Sequence, residues 1–311
     1  MDLITKNKRV KRRNLKESYI KALLIFAALI SIFTTFGILL SIVFEAISFF
    51  KLQSFWYFLF GTQWFPEGEP VKFGALPLIW GTLYITLIAM LTALPIGVFS
   101  AIYLSEYASK KVKNYVKPML EILAGIPTVV YGFFAAVTVA PFIVKIFSIF
   151  SLDVSFQNAL APGIVMGIMI IPIIASLSDD VISSIPVRLK HGSLALGMTK
   201  AETIKFVVLP SALPGMIAAA LLGVSRALGE TMIVVMAAGL RANLSANPLD
   251  SMTTITVRIV DAMTGDQAFD SPETLSAFAL GLILFVVTFG INLISVITIK
   301  KFHKKYKVSN L

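Results

Sequence analysis

The feature that most restricts this chain is a set of long stretches without a single charged side chain. Five such stretches, each at least 23 residues long, cover residues 22–44, 73–105, 122–144, 154–178 and 274–299. A sixth, 211–240, is interrupted only by Arg226 and Glu230. The hydrocarbon core of a bilayer is about 30 Å thick, and a helix of about 20 apolar residues crosses it. The sequence therefore predicts an all-α, polytopic membrane protein with six transmembrane helices.

The composition excludes most other classes of protein. Apolar residues make up 57% of the chain and charged residues only 14%, whereas soluble domains carry about 25% charged residues. A soluble enzyme, a disordered protein and a secreted scaffold are all excluded. The chain has no Cys and two His, so it offers neither a disulfide framework nor a thiolate or His-cluster metal site. No cofactor is expected.

Lys and Arg are distributed very unevenly between the two sides of the predicted spans. The N-terminal tail, the loops after spans two and four, and the C-terminal tail carry 21 of the 27 cationic side chains. Five others lie on the opposite side, and Arg226 lies within a span. Cytoplasmic segments of membrane proteins are enriched in Lys and Arg, so both termini are predicted to be cytoplasmic in a multi-pass plasma-membrane protein. The net charge of +10 is then a topology signal, and no nucleic-acid partner is expected.

We divide the chain into four regions on this basis. Residues 1–20 form a basic cytoplasmic tail, and residues 21–75 contain the first transmembrane helix and an outer interfacial segment. Residues 76–299 hold the other five helices and a cytoplasmic loop at 179–214, and residues 300–311 form a second basic tail. The first span is long and lacks a convincing cleavage site, so it is expected to be a retained anchor.

Two outer segments are predicted to have structure of their own. Residues 50–65 are dense in Phe, Trp and Tyr, which favours a helix lying in the membrane interface and leaves a partner-docking face as the alternative. The outer loop 241–272 is polar, but apolar side chains repeat every four residues within 251–263. That spacing predicts a short helix over 251–263.

The cytoplasmic loop 179–214 is too polar to cross a membrane and too patterned to be a loose linker. Ser184 is suited to cap a helix, with Pro186 in its first turn, where a missing N–H has no consequence. We predict that this helix runs to Leu196 and stops at Gly197.

A second short helix is predicted directly after that glycine. Thr199 and Glu202 have the spacing of a capping box, in which each side chain bonds the other residue's backbone N–H. The helix is expected to run to Leu209 and end at Pro210, with Pro214 and Gly215 breaking the chain before span five. The loop is thus predicted to be two short helices joined by a glycine elbow.

The spacing within these helices resembles a known family. The run His191-Gly192-Ser193-Leu194-Ala195-Leu196-Gly197 is followed, after nine residues, by Val207-Val208-Leu209-Pro210. It resembles the EAA loop of ABC-importer permeases, the binding-protein-dependent transport permeases with the MetI-like fold. Here His-Gly-Ser replaces the family's Glu-Ala-Ala, and Val207 replaces its usual Ile. The resemblance implies that the loop couples to an ATPase through His191, Gly192, Ser193, Ala195, Gly197, Leu209 and Pro210.

The resemblance also implies that transport and ATP hydrolysis belong to different subunits. The chain contains no G-x-x-x-x-G-K-[ST] sequence, so it does not hold nucleotide phosphates in that way. The chain is therefore expected to be a transporter subunit and not an enzyme. ATP hydrolysis would belong to two cytoplasmic ATPase subunits that bind the loop.

Other segments resemble the phosphate permeases within this family, of the PstC type more than the related PstA type. They lie at residues 64–66, 73–77, 81–83, 101–107, 121–132 and 225–231. The resemblance extends over about 55–300. It implies inward transport of inorganic phosphate, a second, PstA-like permease subunit completing a heterodimer, and an extracytoplasmic phosphate-binding protein.

Arg226 and Glu230 are the candidate residues of the substrate pathway. A charge at the centre of a membrane helix is unfavourable by about 2.5–3.5 kcal/mol on insertion scales. Their i,i+4 spacing predicts that they share one helix face and neutralise each other. One interpretation is a structural pair that fixes helix packing. The other is that the Arg226 fork binds a phosphate oxyanion and Glu230 holds that fork in place.

Two other functions remain open at this point. A permease for another oxyanion, such as molybdate or sulfate, would have the same kind of coupling loop. A self-contained channel or ion-coupled carrier is a third candidate, but it would have no need of the patterned loop at 179–214.

Overall fold

A computed structural model describes residues 2–66, 68–152, 154–265 and 268–305. Side chains are described except at 2–16, 299 and 301–305. The predicted basic tails therefore lie largely outside the described side chains. The assignment of residues 1–20 and 300–311 to the cytoplasm stays a prediction.

The predicted all-α architecture with six spans is confirmed. Helices long and apolar enough to cross a membrane cover Glu17–Leu52, Leu76–Tyr107, Thr128–Ser148, Leu160–Ser183, Lys200–Leu228 and Pro272–Thr298. The thirteen helices of the described chain are α1 (Asp2–Leu52), α2 (Phe55–Phe60), α3 (Leu76–Ile102), α4 (Lys110–Gly125), α5 (Thr128–Phe134), α6 (Ala140–Ile149), α7 (Leu160–Ser183), α8 (Val187–Ala195), α9 (Lys200–Thr203), α10 (Leu209–Leu228), α11 (Met232–Ala237), α12 (Ile255–Thr264) and α13 (Pro272–Lys305). Single π-helical turns extend α3 over Tyr103–Tyr107, join α5 to α6 over Ala135–Val139, and join α9 to α10 over Ile204–Val208.

The centre of the bundle is the contact between α3 and α7. Glycines on α7 allow this close approach, since a Cβ on Gly167 would lie 2.8 Å from Cβ of Thr92, and a Cβ on Gly163 would meet Ile88. The surrounding core includes Ile85, Met166 and Ile170, all fully buried. By contrast, α1 packs mainly against α13 and leaves most of its apolar side chains exposed to the surroundings. This exposure suits a helix at the lipid-facing edge of the bundle.

The outer side is capped by aromatic side chains and a short hairpin. Strands β1 (Trp64–Phe65) and β2 (Lys72–Phe73) pair antiparallel. Phe49 and Phe58 make edge-to-face contacts in the same cluster as Trp64 and Phe73. The predicted interfacial helix over 50–65 is therefore shorter than expected. Its first residues complete α1, and only α2 is a separate helix.

The outer loop before α12 is exposed or half-buried over 240–248 and buried over 252–254. The predicted helix over 251–263 is present but begins only at Ile255. Residues 251–254 cannot join it, because their backbone is used elsewhere: the Met252 N–H donates to the Ala238 carbonyl at 3.1 Å. A Cβ on Gly81 of α3 would lie 2.1 Å from the Thr253 oxygen. The glycine therefore lets this loop lie directly on α3.

On the cytoplasmic side, the predicted third span is shifted. Residues 122–125 end α4, an amphipathic helix, and the membrane helix begins at Thr128 after the break at Pro127. Pro127 has no N–H to donate and occupies the N-cap position of α5. The uncharged stretch thus joins parts of two helices, and absence of charge did not mark their boundary.

The loop at 179–214 has its predicted elbow but different ends. Pro186, not Ser184, is the N-cap of α8, because Ser184 completes the end of α7 and its hydroxyl donates to the Val181 carbonyl at 2.7 Å. The predicted stop is confirmed, since Gly197 has a φ of +87°. Such a backbone is readily adopted only by residues like glycine.

The predicted end of the second helix at Pro210 is wrong. The Thr199–Glu202 capping box is present, but α9 continues through the π-helical turn Ile204–Val208 into α10. The wider turn lies just before Pro210, where a proline would otherwise disrupt regular hydrogen bonding. Pro214 likewise lies inside α10 and does not break it.

Candidate functional site

Arg226 and Glu230 lie together in the structure, but in unequal surroundings. Arg226 Nη1 is 3.6 Å from Glu230 Oε2, and the exposed fractions of the two side chains are 44% and 2%. The contact involves only one guanidinium nitrogen, and its N–O distance is longer than the distances in a bidentate Arg–carboxylate pair. The guanidinium therefore keeps donors free for another acceptor, while the carboxylate is enclosed by protein.

The two residues do not lie on one continuous helix, contrary to the prediction. Helix α10 ends at Leu228, with Gly229 as its C-cap, and α11 starts at Met232. Glu230 lies in the break, where its carboxylate Oε1 accepts a hydrogen bond from the Ile233 N–H at 3.4 Å. The long apolar stretch of span five thus concealed a break in the helix directly at the charged pair.

This interruption lies within the bundle. Gly223, one turn before Arg226, packs against Ile170 and Ile174 near the middle of α7. Arg226 is therefore within about one helical turn of the middle of that span. Non-helical backbone at membrane depth is tolerated where it is buried in protein or lines a water-filled cavity. Small residues that recur every four positions along α10, Ala219, Gly223 and Ala227, are buried.

Sequence reasoning missed two polar residues that support the break. The Thr256 hydroxyl donates to the Glu230 carbonyl at 2.8 Å, which places the first turn of α12 beside the pair. Ser225, adjacent to Arg226, contacts the side-chain oxygen of Asn292 at 3.1 Å. Asn292 is an amide within the sixth span, and that isolated polarity is the signal that could have identified it.

The predicted ATPase-coupling residues separate into two groups. His191, Gly192, Ala195 and Gly197 are exposed on α8 and its elbow. Leu209 and Pro210 lie at the start of α10, and Leu209 packs against a buried cluster that contains Ala101 and Ile182. Leu209 therefore anchors the loop, and Leu209 and Pro210 are both half-buried.

Ser193 is the inward-facing member of the set. Its hydroxyl donates to the Lys190 carbonyl at 2.9 Å and lies 2.9 Å from the Thr203 hydroxyl. Both side chains are buried. A small hydroxyl residue at this position thus ties α8 to α9, which holds the exposed face of α8 outward.

Ion pairs attach this cytoplasmic layer to the membrane helices. Lys190 Nζ on α8 is 2.5 Å from Glu106 Oε1 at the end of α3. On α4, Lys117 Nζ is 2.6 Å from Asp179 Oδ2 and 3.2 Å from Asp180 Oδ1. The hydrogen bond with Asp179 raises the pKa of Lys117, against the opposing effect of burial. A raised lysine pKa means that this pair stabilises the fold at neutral pH and is lost only as pH rises through the folded-state pKa.

The chain is similar to proteins of one family. A family described as "Binding-protein-dependent transport system inner membrane component" matches residues 93–307. The "Probable ABC transporter permease protein YqgH" of Bacillus subtilis is 37% identical over 75% of this chain and 74% of that protein. The "Phosphate transport system permease protein PstC 1" of Mycobacterium tuberculosis is 36% identical over 79% of this chain and 82% of that protein.

Solved transporters share the fold. A bacterial ABC transporter involved in the import of the acidic polysaccharide alginate has a TM-score of 0.62 at 17% identity, covering 93% of this chain and 99% of that chain. The inward-facing MetNI methionine ABC transporter has a TM-score of 0.57 at 18% identity, covering 72% of this chain and 94% of that chain. These likenesses show the MetI-like fold alone. Together with the family match and the six spans, they show that this chain belongs to the binding-protein-dependent transport system inner membrane components, the multi-pass permeases of ABC transporters.

Proposed function

We propose that this chain is a permease subunit of an ABC importer that carries inorganic phosphate inward. The observation that carries the proposal is the Arg226 guanidinium, which is partly exposed at a helix break and held by the buried Glu230. A charged residue facing lipid at this depth would be strongly unfavourable. The exposed donors are therefore expected to face a water-filled pathway, where a planar fork suits a tetrahedral oxyanion.

Similarity to relatives named as phosphate permeases supports phosphate over other anions. In the proposed pathway, Arg226 binds the anion with the donors that Glu230 leaves free. Glu230 orients the guanidinium and neutralises it after the anion has passed. Because the Glu230 carboxylate accepts a hydrogen bond from the Ile233 N–H, it is expected to stay in place while the anion binds and leaves.

The ATPase partners are proposed to dock on α8. Exposed apolar side chains lie at Val187 and Leu194 on α8 and at Leu196 directly after it. The surface is also open at Gly192, where an added Cβ would meet nothing within 4 Å. A face of this kind fits a hydrophobic cleft on a cytoplasmic subunit. Two ATPase subunits, a second permease of the PstA type and an extracytoplasmic phosphate-binding protein would complete the importer.

The experiment is uptake of labelled phosphate, sulfate and molybdate by cells with and without this subunit. We expect phosphate uptake alone to depend on it, and an ATPase to co-purify with it. Dependence of sulfate or molybdate uptake instead would assign another oxyanion. Uptake that persists without any ATPase would indicate a self-contained channel or carrier.

A further inference from the structure

The contact between Glu106 and Lys190 is a largely buried ion pair between a membrane helix and the proposed docking helix. The exposed fractions are 20% for the Lys190 side chain and 10% for Glu106, and the charged atoms are 2.5 Å apart. Exposed ion pairs contribute little to stability because water and salt screen them. This pair has lost most of its water, so separating the two charges would leave each of them poorly solvated. The pair therefore resists any motion of α8 away from α3.

The two residues beside Glu106 also contact lysine side chains of the cytoplasmic helices. The Ser105 carbonyl accepts a hydrogen bond from Lys113 of α4 at 3.3 Å. The Lys200 ammonium, at the start of α9, lies 4.5 Å from the centre of the Tyr107 ring, a distance at which cation–π attraction is effective. Three consecutive residues at the cytoplasmic end of α3 thus bind three different cytoplasmic helices.

The opposite end of α3 is attached to the outer loop. Trp80 Nε1 donates to the Ser245 carbonyl at 2.7 Å, and the Ile255 N–H donates to the Thr82 hydroxyl at 3.0 Å. One residue further along, Thr256 donates to the Glu230 carbonyl. A single helix therefore connects the proposed docking helix at the cytoplasmic surface with the outer loop and, through Thr256, with the backbone of Glu230.

We propose that Glu106 is a positioning residue that binds α8 to α3 through Lys190, so that the two helices move as one body when the ATPases act on α8. The movement of α3 then reaches the outer loop and the break at Glu230. The proposal rests on the proposed function, because it takes α8 as the docking helix. It assigns a role to a pair that does not touch the substrate.

The test uses complexes reconstituted with the ATPase subunits and the phosphate-binding protein. Glu106→Gln, Lys190→Met and the double variant are compared with Lys110→Met, which removes an exposed lysine of the same cytoplasmic layer. We expect the double variant to assemble and to hydrolyse ATP basally. Phosphate transported per ATP should fall about tenfold, within the range of allosteric couplings. Lys110→Met should match the unmodified complex.

A cross-link distinguishes transmission of movement from simple stabilisation. The chain contains no native Cys, so Glu106→Cys with Lys190→Cys gives the only two thiols of this chain. This variant should be uncoupled, should regain coupling when a short, reducible bis-methanethiosulfonate joins the thiols, and should lose it again on reduction. If the pair only stabilised the fold, these changes would alter the amount of complex. The phosphate transported per ATP by each complex would stay unchanged.

Each other outcome overturns the proposal. A double variant that couples normally would make the pair a packing contact. Loss of transport only in proportion to lost assembly in every variant would restrict the pair to folding. A cross-linked complex that hydrolyses ATP but cannot transport would mean that α8 and α3 must separate. Failure of the proposed function is recognisable independently, because the unmodified complex would then show no phosphate-stimulated ATP hydrolysis.

Discussion

At the scale of single residues, the exposed Arg226 beside the buried Glu230 is proposed to bind the transported anion. We predict that Arg226→Lys loses phosphate uptake although it keeps the charge, because an ammonium cannot reproduce the planar fork. A lost hydrogen bond to a charged group amounts to about 1.5–3 kcal/mol, which corresponds to about tenfold or more in affinity. The measurement is initial uptake rate against phosphate concentration, normalised to the amount of inserted protein.

The double variant Arg226→Gln with Glu230→Gln separates the two roles. Removing one partner alone leaves an uncompensated charge and is expected to lower the amount of folded protein. Removing both should restore assembly, while transport stays lost if Arg226 binds the anion. A double variant that assembles and transports phosphate normally would leave the pair as a packing contact between α10 and the segment that follows it.

At the scale of elements, the elbow after α8 depends on Gly197. Its φ of +87° is strained for a β-branched residue, so Gly197→Val is predicted to insert but to reduce phosphate-stimulated ATP hydrolysis severely. Space is not the cause, since a Cβ there would meet nothing within 4 Å. Gly197→Asn, which tolerates a positive φ better, is the matched control and should keep most of the stimulation. Normal stimulation in Gly197→Val would show that the elbow does not matter for coupling.

The contact between α3 and α7 gives a second prediction at this scale. A Cβ on Gly167 would lie 2.8 Å from Cβ of Thr92 and 2.9 Å from the Ala89 oxygen. Gly167→Ala should therefore destabilise the protein by about 1–3 kcal/mol through overpacking. Gly290→Ala on α13 is the control, since a Cβ there meets nothing within 4 Å. Thermal unfolding of the purified proteins in detergent is the measurement, and equal stability would contradict the close packing.

The elements also show what could be predicted from the sequence. The six spans, the capping box at Thr199 and the stop at Gly197 follow from local signals, and all three predictions were confirmed. The helix boundary at Pro127 was missed, because the uncharged stretch 122–144 continues across it. The predicted end at Pro210 was wrong, because a proline can follow a π-helical turn without ending a helix. The break at Gly229 was missed because apolar composition continues across it. Likewise, the Glu106–Lys190 contact joins residues 84 positions apart, and nothing local to either residue predicts it.

At the scale of the whole molecule, the uneven charge distribution predicts which end of the fold faces the cytoplasm. The proposed docking helix α8 and the basic helix α4 lie at the same end of the bundle, joined to it by the pairs at Lys190 and Lys117. The aromatic hairpin and α12 lie at the other end, where both pack with the start of α3. An orientation with both termini in the cytoplasm places four cationic segments inside, as the positive-inside rule requires.

This orientation predicts opposite labelling of two introduced cysteines. The absence of native Cys makes each one unique, and both positions, Ala246 in the outer loop and Lys110 on α4, are exposed. Ser193 would be a poor cytoplasmic probe, because it is buried between α8 and α9. On intact cells, with any outer membrane opened first, an impermeant thiol reagent should label Ala246→Cys and should label Lys110→Cys only after the inner membrane is permeabilised. The reverse labelling pattern would show that the whole molecule has the opposite orientation. Helix α8 would then lie outside the cell membrane, where no cytoplasmic ATPase could reach it.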